Sequence, residues 1–364
     1  MRYEFAERLD KIETFLDPWL PSAADDAWVR AVFPGQNIAR RFARQLIAPA
    51  RDLLERGGKR WRPLLSLLVC EALGGGEAVL PLLPLVEFSH NASLIHDDIE
   101  DNSAERRGKP ALHLLYGEDT AINSGAFLYF LPLACLEAWD GDDRAKNAVG
   151  ALWARHMRAL HLGQSMDIAW HRGQVPARCE RDEFPPNIAE YETMCALKTG
   201  SLARFAALLG AETALGPKLD IPAAKSLALA AEKLGVGFQI IDDVKNLTTG
   251  LPGKQRGDDI VEGKMSLPIL SFLWNTAADD ETRRVPDGDR LALVRRCFAA
   301  ARKDGIQSAG VETIINALEA SGSLEEAAAR GRTLIAEAKS ALAALPAADQ
   351  AAGRLLAELP DILG

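Results

Sequence analysis

Leu94-Ile95-His96-Asp97-Asp98-Ile99-Glu100-Asp101 closes an apolar segment that begins near Leu80 and repeats hydrophobic residues at three- and four-residue spacing, the helical period. On a helix Asp97 and Asp101 share a face, with Asp98 at its edge. Carboxylates stacked at a helix C-terminus repel one another and oppose the macrodipole, so a cation must compensate. Hard oxygen ligands in this arrangement suit magnesium, which takes one or two protein carboxylates and completes its octahedron with phosphate and water.

The pattern recurs. Asp242-Asp243-Val244-Lys245-Asn246 ends a second apolar helix, with Asp242 and Asn246 on one face and Gln239 one turn earlier. The same periodicity predicts helices over 3–17, 38–56, 62–73, 80–100, 119–139, 144–170, 188–209, 223–246, 267–276, 289–304, 311–321 and 324–345. Strand-like alternation is nearly absent. Gly, Pro and charge cluster at breaks too short to be interdomain linkers, and no repeat of fixed period appears. We therefore expect a single all-α domain over 1–364, a large helical bundle with 280–364 as peripheral C-terminal helices.

Composition narrows the function. The 364 residues are 48% hydrophobic and 26% charged, with a net charge of −9, so no basic face offers itself to a nucleic-acid backbone. The longest apolar run, Ala126 to Leu136, is interrupted by Pro132 and is too short for a membrane span. No basic-then-apolar signal opens the chain, and the expected location is the cytoplasm. The cysteines Cys70, Cys135, Cys179, Cys195 and Cys297 lack metal-binding spacing and read as reduced, mostly buried thiols.

An anionic ligand then needs local cations. Lys59, Arg60 and Arg62 follow Gly57-Gly58, Arg106-Arg107-Gly108 follows the first acidic cluster, and Gly263-Lys264 follows the second. Basic side chains beside glycines, where backbone approaches closely, form a plausible diphosphate cradle.

At these residues the sequence resembles the trans-isoprenyl diphosphate synthases, or polyprenyl synthetase family, from Gly57 to about Pro268. Gly57-Gly58-Lys59-Arg60-Trp61-Arg62-Pro63 is similar to its GGKxxRP segment, Asp97 to Asp101 with Arg106 to Pro110 to its DDxxD motif and RRGxP sequel, Gly163-Gln164 with Asp167 to GQxxD, and Lys198 to Leu202 to KTGxL. Phe238-Gln239, Asp242-Asp243 and Gly257-Asp258-Asp259 through Lys264 and Pro268 resemble the second acidic region and its loop.

The resemblance implies the isoprenoid synthase fold, an active site in a central cavity, and a prenyltransferase that joins an allylic diphosphate to isopentenyl diphosphate. It implies magnesium, three ions with substrate bound, on Asp97, Asp98, Asp101, Asp242 and Asp243. Gly58, Lys59, Arg62, His90 and Arg107 fall to the isopentenyl diphosphate, and Arg106, Lys198 and Lys264 to the allylic one. Lys198, Thr199 and Gln239 face the carbocation, and a homodimer is expected. Asn246 stands where the family usually has a third Asp, and can still offer oxygen or hold a water. The C-terminal Asp361-Ile362-Leu363-Gly364 lacks the basic tail of some farnesyl-type members.

Two rivals stand beside this reading. A class I terpene cyclase uses the same ionisation but needs no second diphosphate site, and His96-Asp97 also reads as the doublet of all-α HD phosphohydrolases, which require further distant histidines. A third possibility, a non-catalytic partner subunit, usually implies eroded aspartate motifs. Product length is expected to be geranylgeranyl: Ser93, Ala92 and Ser89 are small, leaving a path down the helix to a stop near Leu85, Phe88, Phe127 or Phe130.

Overall fold

The computed structural model describes residues 3–172, 185–250, 255–274 and 286–362. Helices α1 (Tyr3–Leu16), α2 (Asp26–Val32), α3 (Arg40–Glu55), α4 (Trp61–Ala72) and α5 (Pro84–Glu100) lead into a short ribbon, β1 (Glu105–Arg106) and β2 (Lys109–Pro110). Then follow α6 (Leu112–Tyr116), α7 (Glu118–Ala138), α8 (Asp143–Arg172), α9 (Ile188–Cys195), α10 (Ser201–Leu215) and α11 (Ile221–Thr248). The chain continues with α12 (Asp258–Glu262), α13 (Leu267–Leu273), α14 (Gly288–Asp304), α15 (Ala309–Ser321), α16 (Ser323–Ala343) and α17 (Gln350–Glu358).

Contacts group these elements into two compact units, Met1–Met157 with Leu202–Ala231 and Lys339–Gly364, and Arg158–Ser201 with Glu232–Ala338. In the first, α5 lies along α7, with α3 and α4 against it. Leu85, Val86, Phe88, Ala92 and Ile95 make the buried face of α5. The α7 helix is long and apolar enough to cross a bilayer, but half of its most apolar stretch is buried against its neighbours, as in a core helix.

In the second unit Tyr191, Ile240, Leu270, Val294, Ile314, Ile315, Leu318 and Leu334 share one core. The C-terminal helices are thus not peripheral. Residues of α14, α15 and α16 are central to that core, while α17 packs on α4, and the Ala348 amide donates to the Ala72 carbonyl at 2.7 Å. The Ala- and Glu-rich composition looks solvated, but Ala327, Gly331, Leu334 and Ala338, three and four apart, leave a narrow buried stripe.

Local signals explain most boundaries. Asn187 and Glu190 form a reciprocal capping box at α9, and Asp25 caps α2 by accepting from the Trp28 amide at 2.7 Å. The 80–100 segment divides at Pro84, which takes the first turn of α5 after a 3₁₀ turn at Leu80–Leu82. The 188–209 segment is interrupted by a π-helical turn over Ala196–Gly200. Cys70, Cys135, Cys195 and Cys297 are buried free thiols. Cys179, and positions 275 and 276 of the 267–276 helix, lie outside the described residues.

Candidate active site

In the first unit the expected cation is Arg106. Its Nε donates to Asp98 Oδ1 at 2.7 Å, its Nη2 also reaches Asp98, and Nη2 lies 3.6 Å from Asp97 Oδ2. Burial works against the Arg106 charge, but Asp98, Asp97 and Asp101 more than offset it and hold its pKa up. Asp98 itself is 2% exposed, and burial raises its pKa despite Arg106. Thus Asp98 is committed to an arginine, while Asp97 and Asp101 remain half-buried at the helix end.

Arg106 reaches this position because β1 and β2 turn tightly. Glu105 pairs with Pro110 and Arg106 with Lys109, and the intervening Arg107 and Gly108 have φ of 54° and 73°, as a two-residue type I′ hairpin requires. Arg56, which carried no signal in the sequence, anchors the hairpin by donating to the carbonyls of Arg106 at 3.0 Å and Pro110 at 2.9 Å.

The basic set lies nearby in the same unit. Gly58 has φ of 145°, and a side chain there would meet Arg107 Nη2 at 3.0 Å, so glycine lets that guanidinium lie against the loop. Lys59 is exposed, whereas Arg60 is buried. Arg62 stacks over Trp61 with 4.5 Å between guanidinium carbon and ring centroid, and its Nη1 lies 3.3 Å from His90 Nε2. Burial, then Arg62, Arg107, Arg106 and Arg60, push the His90 pKa well down. His96, by contrast, meets the Ile122 carbonyl at 3.2 Å and packs on Tyr129.

The second unit holds the rest. Lys198 Nζ lies 2.5 Å from Asp167 Oδ2, with His171 3.9 Å from the other oxygen. Burial would raise the Asp167 pKa, but Lys198, with help from His171 and Lys264, holds it far below the usual carboxylate range. Thr199 Oγ1 donates to Gln239 Oε1 at 3.0 Å, Gln239 Nε2 donates to Asp243 Oδ1 at 2.9 Å, and the Tyr191 hydroxyl donates to Asp243 Oδ2 at 2.6 Å.

Asp243 is therefore buried and held from two sides, whereas Asp242 beside it is exposed. Burial, then the charge of Asp259, push the Asp243 pKa up to about 7. Asn246 is 1% exposed and its side-chain oxygen accepts from the Asp259 amide at 3.2 Å, so it fastens the loop instead of standing open as a ligand. Lys264 pairs with Glu262 at 2.6 Å. Tyr191 and Asp259 are partners that sequence spacing does not reveal, since their contacts are tertiary, whereas the Glu262–Lys264 pair is local.

Among the described residues no three carboxylate, imidazole or thiol groups converge as a ready metal site. Each acidic cluster offers one or two hard oxygen ligands at a helix end, as Asp97 with Asp101 and as Asp242. That donor set fits magnesium, whose remaining positions belong to phosphate oxygens and water, and not a zinc or copper site.

The polyprenyl synthetase family model matches residues 43–287. The geranylfarnesyl diphosphate synthase of Aeropyrum pernix is 31% identical over 327 residues, covering 88% of this chain and 93% of the relative. The geranylgeranyl pyrophosphate synthase of Eremothecium gossypii is 36% identical over 242 residues, covering 64% of this chain and 70% of the relative. A crystal structure of the geranylgeranyl pyrophosphate synthetase from Pyrococcus horikoshii superposes with a TM-score of 0.77 at 26% identity, over 99% of this chain and 96% of that one. The chain belongs to the polyprenyl synthetase family, and it is a trans-prenyltransferase.

Proposed function

We propose that this enzyme condenses an allylic diphosphate with isopentenyl diphosphate and that its main product has geranylgeranyl length. The observation that carries this reading is the placement of an acidic pair and, about two turns earlier, a basic set along α5. Asp97 and Asp101 suit a diphosphate that arrives with metal, while His90, about 10 Å earlier on the same helix, stands with Arg62 in a basic set that suits a second one. A cyclase has no use for the second seat. An HD phosphohydrolase is disfavoured because His96 is spent on a backbone carbonyl.

Magnesium, as three ions in the substrate-bound enzyme, would supply Lewis-acid neutralisation of the negative charge that grows on the leaving diphosphate. Asp97, Asp101 and Asp242 would hold it. We place Asp98 and Asp243 behind them, orienting Arg106 and the Gln239–Thr199 pair. Arg106, Lys198 and Lys264 bind the allylic diphosphate and hold its charge during departure. Lys59, Arg62, His90 and Arg107, with the Gly58 backbone, bind the isopentenyl diphosphate.

The allylic C–O bond breaks with its electron pair on the leaving diphosphate. The isopentenyl double bond supplies the electron pair for the new C–C bond to the resulting cation. A proton then leaves the product carbon adjacent to the new cationic centre, and the released diphosphate accepts it. Gln239 Oε1, already accepting from Thr199, presents its remaining lone pair as a dipole for the cation. No side-chain nucleophile is required.

The enzyme works as a cytoplasmic homodimer in this reading. The support is an exposed stripe on α7, where Ile122 is 44% and Phe130 62% exposed on one face. The activity test is a product assay with and without isopentenyl diphosphate. Turnover requiring both substrates supports condensation, and cyclised product from the allylic substrate alone overturns it. Lys59→Ala and Arg62→Ala should raise KM for isopentenyl diphosphate with little effect on kcat.

A further inference from the structure

Three non-glycine residues among the described ones have positive φ: Arg60 at 48°, Asn102 at 54° and Arg107 at 54°. Such a backbone costs on the order of 1 kcal/mol unless its surroundings over-determine it. Two of the three are arginines of the basic segments, and both connect to one carboxylate, Arg60 directly and Arg107 through Asn91.

That carboxylate is Glu87, 2% exposed on α5. Its Oε1 accepts from Arg60 Nη1 at 2.9 Å and from Asn91 Nδ2 at 2.8 Å. Asn91 Nδ2 also donates to the Glu87 carbonyl at 2.8 Å. With two acceptors on that side, the Asn91 amide oxygen must point the other way. There Arg107 Nη1 donates to it at 3.3 Å and to the Leu53 carbonyl at 3.0 Å.

Arg60 spends its other donors on Glu13 Oε1 at 2.7 Å, the Gly57 carbonyl at 3.1 Å and the Leu54 carbonyl at 2.8 Å. It is a strut between α1, the end of α3 and α5, not a ligand. Burial pushes the Arg107 pKa down to about 10, with Arg60, Arg106 and Arg56 adding to the fall, and Glu87 is the charge that opposes them.

From these contacts we infer that Glu87 and Asn91 are positioning residues for the isopentenyl diphosphate: buried behind the basic set, they hold the Arg60 and Arg107 side chains and so the spacing between the Lys59–Arg62 segment and the Arg107 guanidinium. Glu87 sets the loop through Arg60. Asn91 sets Arg107. The inference rests on the reading that this set receives the isopentenyl diphosphate.

Steady-state kinetics and thermal melting of the full chain test it. Asn91→Leu leaves the Arg60–Glu87 contact in place but removes the Arg107 acceptor, so KM for isopentenyl diphosphate should rise about tenfold, while kcat and the allylic KM stay within about twofold even as the melting temperature falls by the few degrees that lost buried hydrogen bonds cost. Glu87→Gln keeps an accepting oxygen and loses only the charge, so the same split should appear, smaller. Should Asn91→Leu fail to fold, Glu87→Gln decides by the same criterion.

An unchanged isopentenyl KM, or an equal loss for both substrates tracking a lower melting temperature, overturns the inference. Arg107→Ala separates it from the underlying reading. If Arg107→Ala raises the isopentenyl KM and Asn91→Leu does not, only the positioning role fails. If Arg107→Ala leaves that KM unchanged, the assignment of the basic set fails.

Discussion

The Trp153 indole N–H donates to the Ser89 hydroxyl at 3.1 Å. Ser89 lies eight residues before Asp97 on α5 and is fully buried, as is Ala92, so the small side chains of that face do not leave an open path two turns down. The indole of α8 fills the space. Phe130, one of the stops expected from the sequence, is 62% exposed, and Phe127 stacks on Phe33 with centroids 5.8 Å apart.

A chain growing along α5 would meet Trp153 two turns below Asp97. Trp153→Ala should shift the product distribution toward longer chains. Ala92→Phe, placed one turn nearer Asp97, should shift it toward shorter ones. Chromatography of dephosphorylated products reads both, and unchanged distributions would show that the chain grows along another route.

Asp242 and Asp243 look equivalent in sequence but should behave oppositely. Asp242→Ala should abolish magnesium-dependent turnover, as should Asp97→Ala, while Asp242→Ala changes stability by no more than about 0.5 kcal/mol because the side chain is exposed. Asp243→Ala leaves the 1%-exposed Tyr191 hydroxyl and the Gln239 amide without their acceptor, and should cost about 2 kcal/mol. Asp243→Asn keeps an acceptor and relieves repulsion with Asp259, so its urea midpoint should stay near the wild type. Equal midpoints for Asp243→Ala and wild type would refute this division of labour.

The acidic helix ends, the glycine-flanked basic segments and the all-α class are legible in the sequence because each is local: an i, i+4 pair, a turn residue, a repeated period. What is not legible is which acid of each doublet turns inward. That depends on Arg106 returning through a two-residue hairpin and on Tyr191 arriving from another helix. The π-helical turn is hidden for the same reason, since Ala196 to Gly200 has ordinary helical composition and the extra residue per turn is fixed by packing. Short elements such as α2, α6, α12 and α17 carry too few apolar repeats to show a period.

His156 supplies a pH dependence unrelated to catalysis. Its ring is 3% exposed against Phe205, and burial holds its pKa down at about 4, with Arg204 and Arg155 contributing and the Leu152 carbonyl opposing. The unfolded chain takes this proton near 6.5. Below that pH the unfolded state binds more protons, so the stability from keeping His156 neutral is complete above 6.5 and is lost as pH falls toward 4, up to about 3 kcal/mol. Urea melts across this window should fall more steeply for wild type than for His156→Met. Parallel curves would rule out His156 as the source.

Gly163 shows how closely the π-helical turn that carries Lys198 is seated. A β-carbon at this position of α8 would lie 2.3 Å from the Lys198 amide nitrogen and 2.8 Å from the Lys198 α-carbon. These are backbone atoms of the π-helical turn, so no side chain can rotate away, and Gly163→Ala must push the turn off α8. The Lys198–Asp167 pair and the Thr199–Gln239 hydrogen bond hang on that turn. Overpacking of this kind costs about 1–3 kcal/mol, and the loss of kcat should exceed what the lowered stability explains, because Lys198 moves relative to Asp167 even in folded molecules. Gly150→Ala on the same helix is the control: its β-carbon would meet Leu136 at an ordinary 3.5 Å, and removing a mid-helix glycine should be neutral or stabilising by up to about 1 kcal/mol. Wild-type turnover by Gly163→Ala at a temperature where it is fully folded would show that the turn carries no catalytic geometry.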